Sequence, residues 1–390
     1  MTYPTTARTL LGNIEANLRG IRARVGDRLV LAAVKANAYG HGAVDVASMI
    51  EKRGAADWLG VATVDEGQQL RAAGITLPIL KLSPTRGIDE VSRALASALT
   101  LSVVDQASAD EAARAAQRLG LRGVAVHLEI DTGMRRVGAE PAAAPALALR
   151  IAADDRLRLQ GVFSHLPVSD TPDGGDFTRA QTATFRATVA AIETAVGPVE
   201  LKHLANSGAV LGHPETWFDL VRPGIMIYGS LPDPLAERTV DLRPGLELTT
   251  AVSFVKPVAA GETVSYGRTW TAPADTRIAT IPAGYGDGYS RLLSNRGRVL
   301  IGGRSYPIAG RVCMDQTMID LGPDADVRLG DEAVLIGRSG DEEITVAEIA
   351  ALMGTIPYEV TCLITPRVTR AHDLSGPHQR YLTAAPAARR

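Results

Sequence analysis

The chain has 390 residues, 46% of them hydrophobic and 22% charged, an ordinary globular balance with ample material for a buried core. Lys and Arg total 41 against 43 Asp and Glu, a formal charge of −2, so no basic field exists to hold nucleic acid and that class of partner is set aside. The only cysteines, Cys313 and Cys362, cannot build a disulfide framework, and no Cys/His cluster has zinc spacing, so no metal is expected.

A reducing compartment is the natural setting for so few cysteines. Residues 1–11 lack a basic segment followed by an apolar run, so no secretory signal is read there. No apolar stretch reaches the roughly 18 residues of a membrane span. The expectation is a cytoplasmic protein with no membrane partner. The Ala/Pro/Arg-rich end after Leu382 reads as a frayed tail.

The first part of the chain alternates short apolar, β-rich runs with Ala-rich helical patterns. Strands are predicted over 29–34, 58–62, 78–82, 99–104, 123–130, 159–164, 199–204 and 219–223. Helices are predicted between them, among others over 42–52, 64–73, 108–119 and 177–195. About eight βα units point to an α/β fold, a (β/α)8 TIM-type barrel. The strands are apolar nearly throughout, as parallel strands covered by helices are. An open doubly wound sheet fits the same periodicity and stays open at this point.

After about Tyr228 the texture changes. Val/Ile/Thr-rich runs at 249–257, 277–282, 298–301, 305–308, 316–321 and 332–336 alternate with Gly- and Pro-rich turns. They predict a mainly β C-terminal domain, interrupted by one late helix over 346–353. The Pro- and charge-rich stretch 231–243 is the expected linker, which gives domains of 1–235 and 236–385.

Barrel chemistry sits at the carboxyl ends of the strands. The predicted ends present Lys35 after the first strand, Glu129 and Asp131 with nearby Arg136 at the fifth, His165 at the sixth, Asn206 and Ser207 at the seventh, and Arg222 at the eighth. Lys35 follows an apolar run and precedes a Gly-containing turn. A lysine held there is largely out of water, which favours the neutral, nucleophilic amine that forms a Schiff base with an aldehyde cofactor. The plain alternative is a lysine that snorkels to the rim.

A phosphate needs backbone N–H groups and small hydroxyl donors. Ala205-Asn206-Ser207-Gly208 and Arg222-Pro223-Gly224-Ile225 supply two such turns on the last two strands, where barrels bind phosphate. Ordinary turn and capping chemistry uses the same residues. His165 and Arg222 also fit a satisfied half-buried histidine and a surface cation, and Tyr266 a hairpin aromatic. The Asp131-Thr132-Gly133 triplet resembles an aspartic protease motif, but no second copy exists to share a proton with it.

Taken in order, the motifs AVKANAYGHG (33–42), WLGVATVDEG (58–67), HLEIDTGMRRVG (127–138), HLANSGAVL (203–211), VRPGIMIYG (221–229), VSYGRTW (264–270), IPAGYGDGY (281–289), GRVCMDQTMID (310–320) and GTIPYEV (354–360) resemble alanine racemase, a fold-type III pyridoxal-phosphate enzyme. The resemblance spans almost the whole chain. It implies a barrel, a β domain and a head-to-tail homodimer whose sites join the barrel of one chain to the β domain of the other. It implies that Lys35 carries pyridoxal phosphate and is the base on the D face, with Tyr266 from the partner subunit on the L face. His165 would contact Tyr266, and Arg222 would bind the pyridine nitrogen. Tyr39, Ser207, Gly224, Ile225 and Tyr358 would hold the phosphate. Arg136 would hold the phenolic oxygen and face the substrate. Met314, with Asp315 beside it, would meet the carboxylate of a small amino acid, and Tyr285 would line the entrance.

Three departures stand out. Glu129 occupies the position of a lysine that many relatives carbamylate. The sixth-strand motif reads Ser164-His165-Leu166-Pro167 instead of Thr-His-Phe-Ala, and Leu10-Leu11-Gly12 lacks the usual Asp. The rival functions are a serine or broad-specificity racemase, a fold-type III decarboxylase and a non-catalytic cofactor-binding barrel. Tyr266 with Cys313-Met314-Asp315 argues against the decarboxylase, and the large β domain against the non-catalytic barrel.

Overall fold

The structure, a computed structural model, describes residues 4–374. The tail after Leu382 lies outside the described residues. Eight parallel strands form a nearly closed barrel: Leu29–Ala33, Trp58–Val61, Ile79–Pro84, Leu99–Val103, Val124–Glu129, Leu157–Phe163, Leu201–His203 and Leu220–Val221. The first seven pair in order, and the eighth pairs with the first through Leu29↔Leu220 and Val30↔Val221. The seventh and eighth join through Asp219 N–H to Lys202 O (3.0 Å) and Arg222 N–H to Ala205 O (2.9 Å). The open-sheet alternative is thereby removed.

Side-chain alternation along the strands builds two cores. Val30, Ala32, Leu59, Ile79, Leu101, Val126 and Leu128 face the helices, among them Ile14 and Leu18 of Leu11–Val25. Leu31, Trp58, Leu80, Leu201 and Leu220 fill the barrel interior. Each such aliphatic side chain contributes roughly 1.5–3 kcal/mol on burial. The interior also holds His127 and His203, both fully buried.

The C-terminal β structure has its own core, with Leu248, Ile281, Val299, Ile319 and Leu335. Its largest sheet orders Arg304–Pro307, Arg298–Ile301, Glu332–Ser339, Leu246–Ala251, Thr6–Leu10 and Thr369–Asp373, with Glu342–Ile344 added on Glu332–Ser339. Thus the strand Thr6–Leu10, which precedes the barrel in sequence, lies between Leu246–Ala251 and Thr369–Asp373. The predicted run 249–257 is two strands in different sheets, because Val252 and Ser253 turn the chain from Leu246–Ala251 to Phe254–Val258. A second short helix, Pro357–Cys362, follows the predicted Val346–Met353, with Pro357 pre-shaping its first turn. No helix among the described residues is long and apolar enough to cross a membrane.

Candidate active site

Lys35 lies two residues beyond the first barrel strand and is half-buried. Burial drives its amine below the ordinary lysine value; the Arg136 cation adds to that, Glu66 opposes it, and Arg222 adds again. The four charged groups therefore converge on one mouth of the barrel.

The turn after Lys35 is left-handed. Ala36, Asn37, Ala38 and Tyr39 have φ of 51, 54, 54 and 52°. For L-residues this costs roughly 1–2 kcal/mol each and persists only when the surroundings over-determine it. Glu66 is one such restraint. Its Oε1 accepts from Ala36 N–H (2.7 Å), and its Oε2 from the N–H groups of Ala62 (2.7 Å) and Thr63 (3.1 Å). Sequence reasoning passed over Glu66, although Thr63-x-x-Glu66 ahead of an apolar run is a capping-box signature.

Arg222 follows the eighth strand and is only 7% exposed, which dismisses the surface-cation reading. It donates to His203 Nδ1 (3.0 Å), Ser164 O (2.6 Å) and Leu204 O (3.3 Å), and its Nη2 lies 3.4 Å from His165 Nδ1. Burial lowers it to about 10, against the pull of Glu129, so it stays a cation at neutral pH. Burial, then Arg222, Arg136 and Lys35, lower His165 to about 3 and hold its imidazole neutral. Glu129 closes the fifth strand at 3% exposure. Burial raises its carboxyl to about 7 despite Arg222 and Arg136, and its Oε2 has no hydrogen-bond partner among the described residues. Arg136 is exposed and makes no side-chain hydrogen bond or ion pair among the described residues. Asp131 instead shapes the loop before it, accepting from Gly133 N–H (2.9 Å) and Arg135 N–H (3.1 Å).

A second group lies beside the first. Ser207 Oγ accepts from Gly224 N–H (2.9 Å). A Cβ on Gly224 would stand 2.6 Å from Tyr39 Oη, so only glycine lets the two approach, and Ile225 opens the helical turn that follows. The Tyr39 ring packs on Tyr228 (5.0 Å) and Tyr358 (5.8 Å), the latter carried in by Pro357–Cys362. Asn206 caps the helix Ser207–Gly212: its Oδ1 accepts from Ala209 N–H (3.1 Å) and Ser169 Oγ–H (2.7 Å), and its amide donates to Leu166 O (2.9 Å). What Asn206 brings to the mouth is the shape of this turn.

Tyr266, Tyr285, Met314 and Asp315 lie elsewhere, on the β structure. Tyr266 sits in the turn between Thr263–Val264 and Trp270–Thr271 and is 73% exposed. Tyr285 N–H donates to Cys313 O (3.0 Å) and Gly286 N–H to Met314 O (2.8 Å), so the two loops are stitched together. Arg367 fastens them, pairing with Asp287 (2.7 Å) and Asp315 (2.9 Å). Among the described residues, none of these four side chains shares a hydrogen bond or ion pair with the Lys35 group. Within one chain the candidates form two separate clusters.

Two family models match the chain: Alanine racemase, N-terminal domain, over residues 10–232 and Alanine racemase, C-terminal domain, over 245–372. The chain is 52% identical over 370 residues to an alanine racemase of Cutibacterium acnes, covering 94% of this chain and 97% of that one. It is 45% identical over 366 residues to an alanine racemase of Mycobacterium tuberculosis, covering 93% and 94%. Among solved structures, an alanine racemase of Clostridium difficile superposes with a TM-score of 0.90 at 34% identity, covering 96% of both chains. One from Streptomyces lavendulae reaches 0.89 at 37% identity, covering 95% and 97%. The barrel with its converging Lys35, Arg136, His165 and Arg222, the β domain and these likenesses agree, and the chain belongs to the alanine racemase family.

Proposed function

We propose that this chain interconverts L- and D-alanine with pyridoxal phosphate, using Lys35 and Tyr266 of the partner subunit as the two bases. The observation that carries the reading is the convergence in one mouth of Lys35, whose amine burial shifts below the ordinary lysine value, with Arg136, Arg222 and the neutral His165. The mouth fits the cofactor. Ser207, whose Oγ accepts from Gly224 N–H and keeps its own proton to donate, the Ile225 N–H beside it, and the phenols of Tyr39 and Tyr358 form a cradle of donors for a phosphate. The Lys35 amine is suited to an aldehyde, Arg222 to a ring nitrogen and Arg136 to an oxyanion. When bound, pyridoxal phosphate supplies the electron sink for α-proton removal.

The chain's own groups supply the rest. Racemisation needs one base on each face of the α-carbon. Lys35 serves one face. Tyr266 is exposed in a single chain, which suits a residue that works in the partner's barrel. The site is therefore shared in a homodimer, with Met314, Asp315 and Tyr285 delivered beside Tyr266. His165, held neutral, accepts a hydrogen bond without adding charge. Arg222 hardly gives up a proton, which limits the electron demand on the ring and suppresses side reactions such as transamination. The free thiols of Cys313 and Cys362 support work in a reducing cytoplasm.

Borohydride reduction of the purified protein and peptide mapping should place the pyridoxyl group on Lys35; a label on another lysine rejects the assignment. Loss of optical rotation from L-alanine, L-serine and L-lysine is then compared. Alanine should lead, and faster turnover of serine or lysine would replace alanine as the substrate.

A further inference from the structure

The left-handed turn Ala36–Tyr39 joins the cofactor-bearing amine to a wall of the phosphate cradle, so its shape sets Lys35 against Tyr39. Local hydrogen bonds close it, Ala38 N–H to Val34 O (2.8 Å) and Gly40 N–H to Ala36 O (2.9 Å). They do not explain why four L-residues stay at positive φ. Further restraints come from His41, whose Nδ1 lies 3.0 Å from Ala38 O and 2.9 Å from Tyr39 O, from Asn37 Oδ1, which accepts from Ala43 N–H (2.8 Å), and from the far end of the chain. Arg370, on Thr369–Asp373, donates through Nη1 to Gly40 O, where the turn ends, and through Nη2 to Ile364 O (2.9 Å). Ile364 lies just beyond the helix Pro357–Cys362 that carries Tyr358. Thr361 O of that helix rests on Gly40, where a Cβ would lie 2.1 Å away.

Neighbours hold the exit of the turn. Thr9 Oγ donates to His41 O (2.6 Å), and the His372 ring lies 2.6 Å from where a Cβ on Gly42 would stand. Arg370 and His372 face Ala7 and Thr9 in register, so the paired strands Thr6–Leu10 and Thr369–Asp373 brace the turn together. Arg370 pairs with no carboxylate among the described residues; its half-buried guanidinium spans two carbonyls. That bidentate geometry is one a lysine reproduces poorly.

We propose that Arg370 is a positioning residue that holds the left-handed turn and thereby sets Lys35 against the cradle of Tyr39, Ser207 and Gly224. The inference rests on the reading of Lys35 as the cofactor-bearing amine. Arg370→Met and Arg370→Lys are made in the full-length holoenzyme and compared with wild type. In Arg370→Met, amide exchange over residues 36–42 should rise by roughly tenfold while the rest of the barrel is unchanged. The racemisation kcat should fall roughly ten- to a hundredfold with KM little altered. Arg370→Lys should recover part of both. Adding Ala36→Gly to Arg370→Met should recover part of kcat, because glycine takes positive φ freely.

Unchanged exchange at 36–42, a uniform rise across the barrel, or wild-type kcat in Arg370→Met overturns the proposal. So does failure of both Arg370 variants to fold, which would make the residue a general support. Borohydride mapping separates the two readings. A label away from Lys35 defeats the proposed function, whereas a label on Lys35 with wild-type turnover in Arg370→Met defeats only this inference.

Discussion

Arg222 Nη1 donates to His203 Nδ1 at 3.0 Å, and this contact fixes protons two residues deep in the barrel. Arginine has donors only, so His203 Nδ1 is the acceptor and its proton sits on Nε2. His203 Nε2 is 2.9 Å from His127 Nδ1, which must then accept. The His127 proton sits on Nε2, which has no hydrogen-bond partner among the described residues. Phe163 stacks on His203 at 4.9 Å, and the Arg222 guanidinium lies 5.4 Å from the Phe163 ring centroid. The ring wall and the neutral histidines together aim a cation that burial alone would disfavour.

Replacing His203 with Phe keeps a flat ring but removes the acceptor below a buried cation. The expected cost is roughly 1–3 kcal/mol in urea unfolding of the cofactor-free protein. Arg222 should also lose its aim, so cofactor should dissociate faster. A variant within 0.5 kcal/mol of wild type, as an approximate error band, would show that the carbonyls of Ser164 and Leu204 suffice.

Acid should destabilise the fold earlier than the carboxylates alone would dictate. His41, His127 and His203 are buried; burial lowers His41 to about 4, His127 to about 3 and His203 well below the ordinary value. In the unfolded chain they titrate near 6.5, so below about pH 6.5 the unfolded state holds more protons. Each histidine then costs roughly 1.4 kcal/mol per pH unit as pH falls toward its folded value. Glu129, raised to about 7, acts in the opposite sense and offsets one of them between roughly pH 4.5 and 7. Urea midpoints of the cofactor-free protein should drop steeply from pH 6.5 to 5. A flat profile there would mean that water or a local opening hydrates these histidines.

Tyr266 and Lys35 belong to separate clusters of one chain, so shared sites have a specific consequence. Tyr266→Phe should lower racemisation by roughly two to four orders of magnitude and leave the bound cofactor in place. Mixing Lys35→Ala with Tyr266→Phe chains, after verified subunit exchange, should restore one working site per heterodimer. No recovery would place both bases in a single chain.

Much of this was legible in the sequence because the period carries it. Continuous apolar runs gave the barrel strands, and their polar ends gave Lys35, His165 and Arg222. Arg222 Nη2 and His165 Nδ1, 57 residues apart, meet at 3.4 Å because parallel strands bring their carboxyl ends together. Non-local pairing was not legible. Nothing local in Thr6–Leu10 says that it pairs with Leu246–Ala251 and Thr369–Asp373. The left-handed turn was hidden as well: Gly40 and Gly42 mark a turn after Lys35, but nothing in Ala36, Asn37 and Ala38 announces positive φ. Asn206 could be read as a ligand or a cap, and only its three hydrogen bonds show the cap.

Glu129 closes the fifth barrel strand, and its surroundings make opposing demands on it. It has no direct ion pair with Arg136 among the described residues, and its Oε2 lacks a partner. Burial raises the carboxyl to about 7 from an ordinary value near 4.5, so the folded state holds its proton more tightly. The stability linked to that proton is fully present below pH 4.5 and is lost as pH rises through about 7. Glu129→Gln should therefore be more stable than wild type above neutrality, by roughly 3 kcal/mol at pH 8 and by little at pH 4. The same change removes the negative charge that acts on Arg136 and Arg222, so turnover or cofactor retention should weaken. Activity of the wild type should not respond to bicarbonate, since a carboxylate needs no carbon dioxide to carry charge. Gained stability with lost function is the pattern of a charge kept for its site against the preference of the fold. Urea unfolding across pH measures the first half, and racemisation assays with and without bicarbonate measure the second. A fully active Gln variant, or bicarbonate-dependent wild-type activity, would show that Glu129 does not provide the anion that orients Arg136.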